Sequence, residues 1–350
     1  MTSTPTDPPE PSENGTDPEL DLTPAADPPP APPSRPGLTT FTIEGRAAPG
    51  LFVVGWLATI VGIGLLVIGA LGSSPIFFYF VGPLVLTIGL VAGAGNQALE
   101  RRARGAAYAG PSPYLVFATT IAASFAAISA VGLVLERIPG VSGMPDYVAS
   151  LLTVLIQAGV FLGVLRLTVV GTDALSWAEM GWRRFDPGQV AHALRGAAIA
   201  LPVIGITSIL AGVLVRVLGE VPESPLPPTG TNEGLIIQLI AGALIAPIAE
   251  EAVFRGFAVT AWQRTVGETG AIVRASLLFA LAHVINAGGS GLGQVGALIA
   301  IGFLTRVPVA FALGWIFVRT RSIWAPIGLH MAFNAILLVL ADFALRSGAG

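Results

Sequence analysis

The chain has 350 residues, of which 53% are hydrophobic and only 11% charged, and its mean hydropathy is +0.76. Soluble domains carry about 25% charged residues, so composition excludes an ordinary soluble enzyme and points to a protein built inside a lipid bilayer. The net charge of −3 arises mostly from an acidic N-terminal segment, no basic patch suits a nucleic acid, and without cysteine there is no disulfide, thiolate nucleophile or Cys-ligated metal.

Residues 1–46 hold twelve prolines and eight acids against two arginines. So few large apolar side chains cannot offset the entropy of ordering, and the segment is expected to be a disordered, solvated cytoplasmic tail. No basic stretch leads directly into an apolar one there, so it does not read as a signal peptide. From Leu51 the apolar runs follow one another, near 51–71, 76–95, 114–135, 148–169, 197–217, 236–264, 270–286, 294–318 and 323–345. Most have the ~20 apolar residues that cross a ~30 Å core. The run 270–286 is short and 294–318 contains Arg306 and Pro308, so the expected fold is all-α, a polytopic bundle of eight or nine transmembrane helices. Arg306 finds no explanation in the pattern.

All eighteen basic residues are arginine, and they alternate. Arg101, Arg102 and Arg104 follow the second run, Arg183, Arg184 and Arg195 the fourth, Arg264 the sixth, and Arg319 and Arg321 the eighth. The loops 138–147, 219–233 and 287–293 have none. By the positive-inside rule this predicts a multi-pass cell-membrane protein with a cytoplasmic N-terminus. The stretch 173–196, with Trp177 and Trp182 beside arginines, reads as an amphipathic segment at the cytoplasmic interface, and His192 within it as an interfacial histidine.

The most informative stretch is AGALIAPIAEEAVFRGF, residues 241–257. Glu250 and Glu251 end a long uncharged run, and an ionisable residue at bilayer depth costs ~2.5–3.5 kcal/mol even on the lenient scale. On a helix, Glu251 and Arg255 are i,i+4 neighbours that can pair, whereas Glu250 points about 100° away and stays free. The plainer reading is a helix end with an interfacial salt bridge. Two of the three histidines deepen the case. His283 has Phe279 one turn before it, and His330 has Asn334 one turn after it. At 1.5 Å per residue, Glu250 and His283 both lie ~20 Å above the cytoplasmic ends of their helices, and His330 ~14 Å, so the three can meet in one layer.

Such a set suits water-activating hydrolysis. A carboxylate held out of bulk water serves as a general base, a histidine shares its proton or holds a metal, and a second histidine with an amide NH₂ supplies donors to an oxyanion. Glu250, His283 and His330 are equally a candidate zinc ligand set, although the soluble His-Glu-x-x-His signature is absent.

Glu250-Glu251-x-x-x-Arg255-Gly256, Phe279-x-x-x-His283 and His330-x-x-x-Asn334, in this order, resemble the motifs of the CPBP intramembrane protease family, the CAAX prenyl protease type 2-like or Abi family. The resemblance covers roughly 148–345, leaving the tail and the helices of 47–136 outside the motif core. It implies an intramembrane endopeptidase, with Glu250 and His283 activating water, His330 and Asn334 on the oxyanion side, and Glu251 and Arg255, with Phe279, supporting the first helix. It leaves a metal requirement open. The implied partners are the bilayer and a membrane-embedded or membrane-associated peptide or protein. Two alternatives stand beside it: a catalytically silent scaffold or bacteriocin-immunity protein of the same fold, and an ion-coupled transporter using the two glutamates as a proton relay. Gly288-Gly289-Ser290-Gly291 matches the serine motif of rhomboid proteases, but here the His-x-x-x-Asn element follows the serine instead of preceding it, and the loop reads as a turn.

Overall fold

The computed structural model describes residues 42–43, 46–47, 49–72, 74–139, 143–184, 186–222, 227–285 and 287–348. The expectation of a disordered tail therefore falls outside the described residues up to Thr42. Two short strands, β1 (Thr42–Ile43) and β2 (Arg46–Ala47), pair antiparallel just before the first helix.

The remainder is helical, as expected: α1 (Pro49–Leu71), α2 (Gly82–Ala103), α3 (Pro113–Leu135), α4 (Asp146–Leu165), α5 (Pro187–Leu218), α6 (Asn232–Gln238), α7 (Ala246–Glu251), α8 (Thr260–Ala282), α9 (Leu292–Thr320) and α10 (Trp324–Ser347). Eight stretches among the described residues are long and apolar enough to span a membrane, giving a multi-pass architecture. Local chemistry sets the boundaries. Ser112 caps α3 by accepting from Leu115 N–H at 3.2 Å, Asp186 caps α5 by accepting from Gln189 N–H at 2.9 Å, and a proline follows each at the first helical position. The Asp186 cap starts α5 ten residues earlier than the expected 197. The second half of the segment read as interfacial, His192 included, is thus the opening of a 32-residue helix.

The runs expected at 236–264 and 270–286 form one continuous stretch, Asn232–Ala282, broken at Gly267 (φ 75°, ψ 177°). Phe254 and Phe279 lie on either side of that break with ring centroids 5.1 Å apart. A straight helix would hold them more than 35 Å apart at ~1.5 Å per residue, so the chain doubles back at Gly267. A left-handed φ there suits glycine alone.

The core gathers around residues 249–262. Phe254, Phe257 and Trp262 are buried with Tyr108, with Val116 and Phe117 of α3, and with Phe161 and Leu165 of α4. The packing around the motif residues thus reaches back into α3, N-terminal to 148. The α5–α10 contact depends on small residues: a Cβ on Gly196 would strike the Ala325 carbonyl, and one on Gly328 the Ala193 carbonyl. That close approach holds α10, and with it His330, against the bundle. By contrast α1 packs on α2 and leaves most of its large apolar side chains exposed, as a lipid-facing helix does.

Candidate functional site

The helix carrying the two glutamates is wound unusually. α7 lies between two π-helical segments, Leu239–Ile245 and Ala252–Val259, a winding that is rare and concentrated at functional sites. At the end of the first segment, Ala246 N–H donates to the Ala241 carbonyl, five residues back. In that register the next residue would donate to the Gly242 carbonyl, but it is Pro247, which has no N–H. Asn334 supplies the missing donor from α10, its Nδ2 lying 2.7 Å from Gly242 O.

Glu251 and Arg255 pair at 2.8 Å, as the i,i+4 spacing predicts, and both side chains are 0% exposed. Burial of that kind is costly unless the charges answer one another; here Glu251 Oε2 and Arg255 Nε still have no hydrogen-bond partner among the described residues. Arg255 Nη2 donates to the Ala310 carbonyl of α9 at 3.1 Å, and its guanidinium lies 4.5 Å from the centroid of the Phe279 ring. Glu251 Oε1 also accepts from His330 Nδ1 at 2.7 Å. Nothing in the spacing of the motifs announced that last contact, which joins residues 79 apart.

Glu250 sits differently. Its Oε2 is buried without a hydrogen bond to the protein, and it faces two imidazoles, with His283 Nε2 and His330 Nε2 each 3.8 Å away. The other nitrogen of each ring is committed. His283 Nδ1 meets Phe279 O at 2.8 Å, so it must be the protonated nitrogen, and His330 Nδ1 donates to Glu251. In the neutral imidazoles both Nε2 lone pairs then face the Glu250 carboxylate. Phe279 packs against both rings, with centroids 4.4 Å from His283 and 5.7 Å from His330, which fixes their planes.

The layer expected from helix depth therefore exists: Glu250, His283 and His330 converge, and Glu251 and Arg255 buttress them. Asn334 meets the backbone of the glutamate-bearing helix. His192 remains in the opening turns of α5 and Ser290 bonds to Gln294 in its loop, so neither joins the cluster. Two imidazole lone pairs with one carboxylate match zinc chemistry. Among the described residues, however, no group of three His, Cys, Asp or Glu is arranged to hold a metal ion. The 3.8 Å spacings exceed by about half an ångström what tetrahedral bonds of ~2.0–2.1 Å produce.

At the arginine-rich end, Ser176 and Glu179 form a reciprocal capping box. Glu179 Oε2 accepts from Ser176 N–H at 2.7 Å, and Ser176 Oγ accepts from Glu179 N–H at 3.2 Å. Glu179 also pairs with Arg264 at 2.7 Å. The Ser176 backbone donor first, and the Arg264 side chain next, draw the Glu179 carboxyl down to about 2. Arg321, beside the α9–α10 turn, pairs with Glu268 next to Gly267 at 3.2 Å. These contacts stitch the helix ends beneath the site.

Residues 232–336 match the family model of the type II CAAX prenyl endopeptidase Rce1-like proteins. The match takes in less than a third of the chain, yet it contains every side chain that converges on Glu250. No curated protein and no solved structure matches the chain.

Proposed function

We propose that this chain, a member of the CPBP or CAAX protease-like family, is an intramembrane endopeptidase in which Glu250 activates the attacking water. The observation that carries the reading is the environment of Glu250 Oε2: unbonded, buried, and 3.8 Å from two oriented imidazoles. That distance is too long for a direct hydrogen bond and leaves room for a water to bridge Oε2 to an imidazole.

Glu250 takes one proton from that water, and the Nε2 lone pair of His283 or His330 accepts a hydrogen bond from the other and so orients the molecule. The hydroxide adds to the peptide carbonyl carbon and the carbonyl electrons move onto oxygen. As the intermediate collapses, the C–N bond breaks and the Glu250 carboxyl returns its proton to the leaving nitrogen. Glu251, pinned by Arg255, holds the His330 ring in the tautomer this needs, the part a carboxylate plays behind a catalytic imidazole. Asn334 acts as a positioning residue by holding the backbone at Gly242, upstream of the glutamates. Zinc, which this donor set would suit, would need Glu250, His283 and His330 drawn closer together than they stand here. The arginine-rich helix ends face the cytoplasm in this reading, and the substrate is a peptide segment lying in or on the bilayer.

The test compares new peptide ends, by quantitative mass spectrometry, in cells expressing the wild-type chain or Glu250→Ala. Ends that appear only with the wild type are the expected result. Identical end profiles, with both proteins inserted in the membrane, would overturn the assignment and favour a non-catalytic scaffold.

A further inference from the structure

Arg306 has no role in the network above, yet it is a charged residue in the middle of a membrane-crossing helix, where a cation is costly. It lies fourteen residues from each end of α9, about 20 Å at helical rise. The same separation along the chain divides Glu250 from Arg264, so the two charges share a depth. Nη1 donates to the Gly302 carbonyl at 2.8 Å. Gly302 in turn is pressed against Val284, the neighbour of His283: a Cβ on it would come 2.8 Å from Val284 Cγ1 and 3.5 Å from Arg306 Nη1. The guanidinium is thereby held, half-buried, on the side of α9 that packs against Val284, the neighbour of His283. Among the described residues it forms no ion pair, and Gly302 is the one hydrogen-bond partner that it has.

The other donors of the site are largely committed. His283 Nδ1 is used on Phe279, His330 Nδ1 on Glu251, and Asn334 spends one of its two amide hydrogens on Gly242. Water adding to an amide places a full negative charge on the former carbonyl oxygen, in a setting where water itself supplies little stabilisation. We propose that Arg306 is a further catalytic residue, whose remaining N–H groups bind the oxyanion of the tetrahedral intermediate. The role rests on the protease reading. The charge it meets forms when the carbonyl electrons shift onto oxygen and disappears when the C–N bond breaks and Glu250 protonates the nitrogen.

The experiment uses the purified full chain and a peptide spanning a Glu250-dependent cleavage site. Arg306→Gln is expected to lower kcat about 10²- to 10³-fold, as loss of an oxyanion donor does, with little change in KM. Arg306→Lys, which keeps the charge without the fork, should fall between. Two inert probes of the same sequence separate catalysis from folding: a phosphonate peptide, which mimics the tetrahedral anion, and a reduced-amide peptide, which mimics the ground state. Arg306→Gln should lose affinity for the phosphonate and keep it for the reduced amide. Wild-type kcat, or equal loss for both probes, would overturn the proposal. Should Arg306→Gln fail to fold, Arg306→Lys takes its place, and unchanged phosphonate affinity in that variant counts against the role. Absence of Glu250-dependent ends in the wild type would instead remove the protease reading, and the oxyanion with it.

Discussion

Two sets of carboxylate–guanidinium pairs touch at almost the same distance and carry opposite weight. In the middle of the bundle, Glu251 and Arg255 touch at 2.8 Å with neither side chain exposed. At the arginine-rich end, Glu179–Arg264 and Glu268–Arg321 touch at 2.7 and 3.2 Å, but the side chains are 34–63% exposed. Water and salt can replace an exposed partner, so such pairs contribute ~0–1 kcal/mol. Nothing can replace a buried one, and the buried pair also fixes the imidazole beside Glu250. Contact length alone says little about what a charge pair does; the number of other groups that depend on it says more.

The sharpest way to break this contrast is at Glu250, which faces two imidazoles rather than a guanidinium. Glu250→Gln is expected to cut cleavage at least ~10³-fold, within the range of general-base contributions, and to leave thermal stability near wild type. Turnover and unfolding temperature measured on one preparation decide it. Arg255→Ala strands a buried carboxylate and should cost ~3–5 kcal/mol, seen as loss of folded protein in detergent. A variant that accumulated normally would contradict the buttressing role. Asn334→Ala leaves the Gly242 carbonyl without its donor, at ~1–3 kcal/mol, and should lower the unfolding temperature as well as activity; lost activity with an unchanged unfolding temperature would place Asn334 on the oxyanion instead. The smallest effect belongs to Arg264→Ala, ~0.2–1 kcal/mol and weaker in high salt. Because the Glu179 carboxyl lies below its ordinary value of 4.5 in the folded chain, its contribution is complete above that value and disappears as pH falls from there towards 2. Unfolding temperatures of wild type and Arg264→Ala should therefore draw closer together across that window.

Much of the site was legible because charge is conspicuous in an apolar chain. Glu250, Glu251, His283 and His330 stood out by type alone, and the i,i+4 rule paired Glu251 with Arg255. The helical class and the break between 264 and 270 followed from apolar run lengths, whereas Gly267 as the point of reversal did not. What stayed hidden was long-range or depended on backbone winding. Residue spacing cannot say that His330 reaches Glu251 across 79 positions. Pro247 was visible, but only the π-helical register turns its missing N–H into an unpaired Gly242 carbonyl for Asn334 to meet. The early start of α5 was written in Asp186-Pro187, a capping signal masked by the tryptophans and arginines around it. Arg306 was noticed and unexplained, since its meaning depends on which neighbours share its depth.

The reversal at Gly267 divides the site in a mechanical sense. One hairpin, α7 with α8, carries Glu250 and His283; a second, α9 with α10, turns at Arg321 (φ 53°) and carries Arg306, His330 and Asn334. Three hydrogen bonds of the site cross between them: Glu251 to His330, Arg255 to Ala310 and Asn334 to Gly242. Glu250 therefore lies on a seam fastened about two turns upstream, at Gly242, and within about a turn and a half downstream, at Glu251 and Arg255. Sliding one hairpin past the other would leave the distance between Glu250 and His283 intact but part Glu250 from His330, so anything wedged into the seam would work against the fastenings that align those two.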